Sequence, residues 1–220
     1  MSKYCSECGR ELENKDLHIV IVLDESGSME CVRDSTISGI NEFIESQRKE
    51  EGSTWITITK FDTRFRTLFE WLPLDKFKKL ARVDYAPDGL TALHDAIGNT
   101  INNLTKNKLL PKVKTMFVVM TDGEENSSSK FTLHSVKKLI DKQKEAGWDF
   151  VFLGANIDSY AVGGSYGINT TINYHQSNGG IIGTTRSMAS YSSTLRTTGQ
   201  SMGSASLQCL VDSETEKEEN

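Results

Sequence analysis

Three stretches of the chain are apolar at almost every position, and three others are apolar only at every third or fourth. "DLHIVIVLD" (16–24), "KTMFVVMTDG" (114–123) and "WDFVFLGA" (148–155) are short and rich in β-branched and aromatic residues. That combination predicts strands buried on both faces. Helical spacing appears in Ile37, Ile40, Phe43 and Ile44, running to about residue 49. It recurs in Leu93, Ala96, Ile97, Ile101 and Leu104, and in Leu133, Val136, Leu139 and Ile140, where Gly147 is placed to cap the helix. "TWITITKFDT" (54–63) alternates as a strand does, and "RFRTLFEW" (64–71) follows after a very short turn, which predicts a hairpin.

Beyond residue 156 the pattern weakens. "IDSYAVGGSYGINTTINYH" predicts a short helix, a glycine break and one more strand, and "GGIIGTTRSMASYSSTLRTTG" predicts a last helix despite its many Ser and Thr residues. "VDSETEKEEN" carries five acids against one lysine with no apolar anchor after Val211, the composition of a disordered tail. Buried strands alternating with amphipathic helices make an α/β fold: a doubly wound, mostly parallel sheet with helices on both faces. Ligands of such sheets bind beyond the carboxyl ends of strands, where the strand order reverses. Asp24 and Asp122 each end an apolar strand, so they open into one crevice if those strands flank the reversal.

Composition narrows the partners. A net charge of -5 and a pI near 5.5 argue against nucleic acid and against anionic membranes, both of which select a basic face. No apolar run approaches the roughly 18 residues that cross a bilayer, and "MSKYCSECGR" lacks the apolar core of a signal peptide, so a cytoplasmic location is expected. Four cysteines, two of them isolated, fit a reducing compartment.

The turn after the first strand, "DESGS" (24–28), admits three chemistries. A nucleophilic serine needs a histidine base and an orienting acid, and the sequence places none of His18, His94, His134 or His175 beside Ser26 or Ser28. A phosphate loop needs a G-x-x-x-x-G-K-[ST] pattern, which is absent. A phosphoryl-transfer D-x-D pair has a second acid where Ser26 stands. A cation held by hard oxygens remains, and such an ion takes six oxygen ligands, often several of them water.

Asp24, Ser26 and Ser28 resemble the D-x-S-x-S core of a von Willebrand factor type A domain, where it opens the metal-ion-dependent adhesion site. The family's two further pieces follow in order: a threonine before a helix, here Thr91 in "DGLTALHDAI", and an aspartate after a buried strand, here Asp122 in "VVMTDGEEN". The resemblance covers residues 17–156 well and extends more loosely to about 200. It implies a Rossmann-like sheet of order 3-2-1-4-5-6 with one antiparallel edge strand. It also implies a divalent cation, Mg²⁺ or else Mn²⁺ or Ca²⁺, bound directly by Ser26, Ser28 and Thr91, with Asp24 and Asp122 holding coordinated waters. A position left open on the ion would receive the carboxylate of an exposed Asp or Glu on a partner protein, without catalysis. Short cytosolic proteins of this kind occur in bacteria and their phages. Leu90 departs from the second glycine frequent in the family's "GGTA" loop. The domain organisation expected is a zinc-knuckle-like segment over 1–16, the type A domain over 17–205 and the acidic, disordered tail over 206–220.

Other features weigh less. A metal-assisted hydrolase would need a general base near the ion, and Glu124 and Glu125 are the residues placed to supply one; a third alternative is a regulatory subunit with a structural metal. Glu25, Glu30, Glu124 and Glu125 are expected to rim the crevice, with Arg33, Lys60 and Arg64 available to offset them. Cys5 and Cys8 resemble one zinc knuckle without the second pair that zinc requires, which fits a remnant better than a filled site. "GGSYG" (163–167) matches a nucleophile elbow literally but lacks the apolar strand before it, and reads as a glycine turn. Cys31 is expected to pack, and His94 to face solvent or cap a helix.

Overall fold

The computed structural model describes residues 15–106 and 113–219. Cys5 and Cys8 lie outside these residues. The elements run β1 (Leu17–Asp24), α1 (Arg33–Ser46), β2 (Thr54–Phe61), β3 (Phe65–Pro73), α2 (Leu93–Lys106), β4 (Lys114–Thr121), α3 (Leu133–Glu145), β5 (Asp149–Gly154), α4 (Ser159–Ser165), β6 (Thr170–Asn173), α5 (Asn178–Thr198) and α6 (Ser204–Glu219). The six strands form one sheet of order β3-β2-β1-β4-β5-β6. All pairings are parallel except that of β2 with β3.

Alternation along the strands sorts the core into two layers. Ile19, Ile21 and Leu23 of β1 join Met116, Val118 and Met120 of β4 beneath α1, α5 and α6. Val20 and Val22 join Phe117, Val119 and Phe152 beneath α2 and α3. Because β1 lies between β2 and β4, the strand order reverses there, and the carboxyl ends of β1 and β4 meet above the sheet. The expected crevice therefore exists, with Asp24 on one side and Asp122 on the other.

The chain ending corrects an expectation. Residues 206–220 read as a disordered tail, yet α6 runs to Glu219. Leu207, Val211 and Thr215 lie one turn apart and are all buried. Thr215 serves as the anchor missing from the apolar pattern: its hydroxyl is returned to the Val211 carbonyl at 2.8 Å, and its backbone packs on Gly183 of α5. Asp212 and Glu216 are exposed, whereas Glu218 turns back to pair with Arg186 of α5. The remaining boundaries follow the sequence pattern, including Gly147, which turns the chain after α3 with φ +90°. "GGSYG" is no elbow, since Gly163 to Ser165 close the short helix α4. Among the described residues no helix is long and apolar enough to cross a membrane.

Candidate metal centre

The loop after β1 is built from the aspartate outward. One carboxylate oxygen of Asp24 accepts the backbone N–H of Ser26 at 2.7 Å, and the other accepts the Thr121 hydroxyl at 2.5 Å. Both oxygens are thus occupied by the protein, which suits a residue that acts on an ion through water. Ser26 Oγ lies 3.2 Å from Ser28 Oγ, and Ser28 Oγ donates to Asp122 Oδ1 at 2.7 Å. Thr91 reaches the same cluster from the third loop: its Oγ1 lies 3.1 Å from where a Cβ on Gly123 would stand, so glycine after Asp122 lets the two loops approach closely. All five residues expected to form the site are therefore brought together.

Two tethers fix the Thr91 loop. Gly27 N–H donates to the Gly89 carbonyl at 3.2 Å, and Thr91 exchanges backbone and side-chain bonds with Asn126 at 2.9 and 3.0 Å. Gly89, at φ +74°, takes the left-handed turn, so Leu90 is free to point outward and does not disturb the path to Thr91.

Electrostatics distinguish this crevice from its surroundings. Asp24 is fully buried and Asp122 nearly so. Burial pushes the Asp24 carboxyl up to about 6, with the nearby Asp122 adding to the rise, and burial raises Asp122 as well. Among the described residues no Lys, Arg or His stands within ion-pair distance of either. One loop away the contrast is complete. Glu25 is also fully buried, but it receives Lys60 Nζ at 2.8 Å, Arg66 Nη2 and the Ala86 N–H at 2.6 Å. Asp62 is held by Arg64 at 2.8 Å and Arg66 at 3.0 Å. Glu25 and Asp62 thus have cationic partners and the buried Asp95 is held by the N–H groups of Ser129, Lys130 and Phe131, whereas Asp24 and Asp122 are left without a positive partner.

A divalent cation fits that arrangement. The donor set is two carboxylates and three hydroxyls, all hard oxygens. Among the described residues no group of three or more His, Cys, Asp or Glu could hold a metal ion, so an ion placed here would draw on the hydroxyls as well. Bound there, the ion would supply the missing positive charge and a Lewis-acidic face turned to solvent. Ser28, the exposed member, marks the open side.

The expected acidic rim is only partly present. Glu25 points inward to Lys60 and Arg66. Glu125 turns back onto the protein, accepting the N–H groups of His94, Ser127 and Ser128 at 2.8, 2.9 and 2.7 Å and the Ser128 hydroxyl at 2.6 Å. These bonds lower its proton affinity although burial opposes them, which makes it a poor general base. Glu30 and Glu124 remain exposed, Glu30 with Arg33 at 3.6 Å. His94 caps nothing itself: Glu125 holds its N–H, and its half-buried ring packs edge-on to Tyr166 at 5.7 Å. Cys31 is exposed rather than packed.

Tyr85 and Gln176 carry no signal in sequence, whereas Thr121 and Asn126 lie within the "TDGEEN" pattern. Tyr85 donates its hydroxyl to the Asp24 carbonyl at 2.7 Å, and Thr121 bridges Asp24 to the Gly123 carbonyl at 3.0 Å. Gln176, between β6 and α5, donates its amide to Asp122 Oδ2 and, at 2.9 Å, to the Ser28 carbonyl.

The von Willebrand factor type A domain family matches residues 18–163. Among solved structures, proximal thread matrix protein 1 from the mussel byssus is similar at 14% identity and a TM-score of 0.60, over 81% of this chain and 47% of that one. A von Willebrand factor type A protein from Catenulispora acidiphila is similar at 13% identity and a TM-score of 0.58, over 83% and 43%. A further structure of the mussel protein, described with a zinc-occupied MIDAS motif, is similar at 13% identity and a TM-score of 0.57, over 79% and 45%. This chain spans less than half the length of each. No curated protein matches it by sequence.

Proposed function

The chain belongs to the von Willebrand factor type A family, and from that premise we propose that it is a metal-dependent protein-binding module. Ser26, Ser28 and Thr91 hold a divalent cation, Mg²⁺ in the first instance, with Asp24 and Asp122 behind them. The partner is a protein that presents an Asp or Glu carboxylate to the ion's outward face.

The observation that carries this reading is the pair of buried carboxylates with no positive partner, beside Glu25 and Asp62, which have theirs. Leaving two anions buried together is costly unless a cation joins them. With both aspartates set behind hydroxyls, the ion keeps most of its charge for a third anion. Leu90, more than half exposed beside Thr91, offers an apolar contact next to that face. Of the two candidate bases for hydrolysis, Glu125 is spent on the N–H groups of His94, Ser127 and Ser128, which favours a binding module over a hydrolase.

The test is capture of partners on immobilised protein in Mg²⁺, in EDTA and with Ser26→Ala. Proteins retained by the wild type in Mg²⁺ alone support the reading. Retention that ignores both EDTA and Ser26→Ala contradicts it.

A further inference from the structure

Gln176 approaches the cluster from a fourth loop, on the side where it is open. Asp24, Ser26 and Thr91 are buried, Ser28 is exposed, and Gln176 sits against Ser28 and Asp122. Its amide nitrogen donates to Asp122 Oδ2, the oxygen not used by Ser28, and to the Ser28 carbonyl at 2.9 Å. Its amide oxygen accepts from Asn156 Nδ2.

The neighbourhood holds this side chain in place. Asn156 is one of two non-glycine residues with positive φ among the described residues, at +56°, a conformation that persists where the surroundings enforce it. On one flank Tyr174 is anchored by its N–H to the Gly154 carbonyl at 2.9 Å and by its hydroxyl to the Thr121 carbonyl at 3.3 Å. On the other, Ser177 Oγ accepts the Gly180 N–H at 3.0 Å, and a Cβ on Gly180 would stand 2.1 Å from the His175 carbonyl oxygen. Gln176 thus projects from a stretch fixed at both ends.

A carboxamide carries a donor and an acceptor at nearly equivalent positions, exchanged by a half-turn about Cγ–Cδ. Facing Asp122 alone, the nitrogen side is favoured. Facing a cation beside Asp122, the oxygen side is favoured, and Asn156 accommodates the change by the same turn. We propose that Gln176 is a self-ligand of the metal centre: its amide oxygen takes the ion's outward position and yields it to a partner's carboxylate. This inference rests on the cation reading above. A neutral amide binds a hard cation more weakly than a carboxylate does, so it screens the ion from water and weak anions while remaining displaceable. The apparent affinity for any carboxylate then falls in proportion to the fraction of molecules with the position uncovered.

The test loads Mn²⁺ and measures its inner-sphere waters by field-dependent water-proton relaxation, in wild type, Gln176→Ala and Gln176→Asn, with acetate as the probe carboxylate. Asn keeps the amide but is one methylene too short. The expected result is one more inner-sphere water in both variants than in wild type, and tighter displacement of that water by acetate. Equal water counts and equal acetate affinity in the three proteins, with Mn²⁺ bound, overturn the self-ligand while leaving the metal centre standing. If wild type binds Mn²⁺ no better than Ser26→Ala, both readings fall together.

Discussion

Asp24 shows at the scale of one side chain how the site trades stability for binding. Without a cation its charge is disfavoured by burial and by Asp122. In Asp24→Asn the amide can donate to Thr121 Oγ1, whose proton turns to the Gly123 carbonyl already 3.0 Å away. The variant should melt at or above the wild type in EDTA and gain nothing from Mg²⁺. The wild type should gain about 2.7 kcal/mol when the ion is present at a hundred times its dissociation constant; scanning calorimetry with and without Mg²⁺ checks both. Glu25 is the opposite case. Glu25→Ala strands Lys60, while Arg66 keeps Asp62 at 3.0 Å, and loss of one member of a buried ion pair costs about 3–5 kcal/mol, measurable as a fall in the urea midpoint. His18, at the amino end of β1, is buried against Trp71 with ring centroids 3.7 Å apart, and its Nε2 lies 2.8 Å from Thr57 Oγ1. Burial lowers it from 6.5 to about 3. The unfolded chain therefore takes up a proton below pH 6.5 that the folded one refuses. Stability contributed by neutral His18 is full above pH 6.5 and is lost as pH falls toward 3, at about 1.4 kcal/mol per unit. The raised Asp24 carboxyl gives an opposite slope over part of this range. The His18 contribution is therefore read as the difference between wild type and His18→Phe in denaturant titrations at pH 7, 5.5 and 4.5, a difference that should grow as pH falls.

At the scale of elements, α5 and α6 explain why the second half of the chain was harder to read than the first. Strands β1, β4 and β5 and helices α1 to α3 announce themselves because burial on two faces, or one, leaves periods that a sequence displays. Helix α5 packs through small residues instead. A Cβ on its neighbour Gly39 of α1 would stand 2.6 Å from Thr185 Oγ1, and one on Gly183 would stand 2.6 Å from the Thr215 nitrogen. Its buried hydroxyls are satisfied by carbonyls one turn back, as in Thr184 to Gly180 at 2.7 Å and Ser187 to Gly183 at 2.9 Å. Its apolar stripe, Ile181, Met188, Tyr191 and Leu195, is sparser than those of α1 to α3. Helix α6 hid for a related reason: its anchor is a threonine, and part of its role is polar. Gln208 exchanges bonds with the Asn173 N–H and carbonyl at 3.0 and 2.8 Å, and Ser204 accepts the Thr171 N–H at 2.9 Å. These side chains occupy the free edge of β6 much as another strand would. Gly183→Val should therefore lower stability by about 1–3 kcal/mol through overpacking, read in urea unfolding. Gln208→Ala with Ser204→Ala should expose the edge and increase self-association in analytical ultracentrifugation.

Across the whole molecule, the two ends of the sheet do different work. The amino end buries His18 and closes the core, while the carboxyl ends of β1 and β4 gather hydroxyls and acids from three loops. That gathering was legible because each of the three motifs sits at a strand or helix boundary. What surrounds them was not, because Tyr85 and Gln176 reach the site from places fixed only by the folded chain. The direction of Glu25 and Glu125 was hidden likewise, since a sequence shows that an acid is near a loop and not which way it turns. The most direct measurement is an anomalous difference map from a crystal soaked in Mn²⁺. A single peak in contact with Ser26, Ser28 and Thr91, with Asp24 and Asp122 behind it, is the result expected. A soaked crystal with no peak among those five residues contradicts the account.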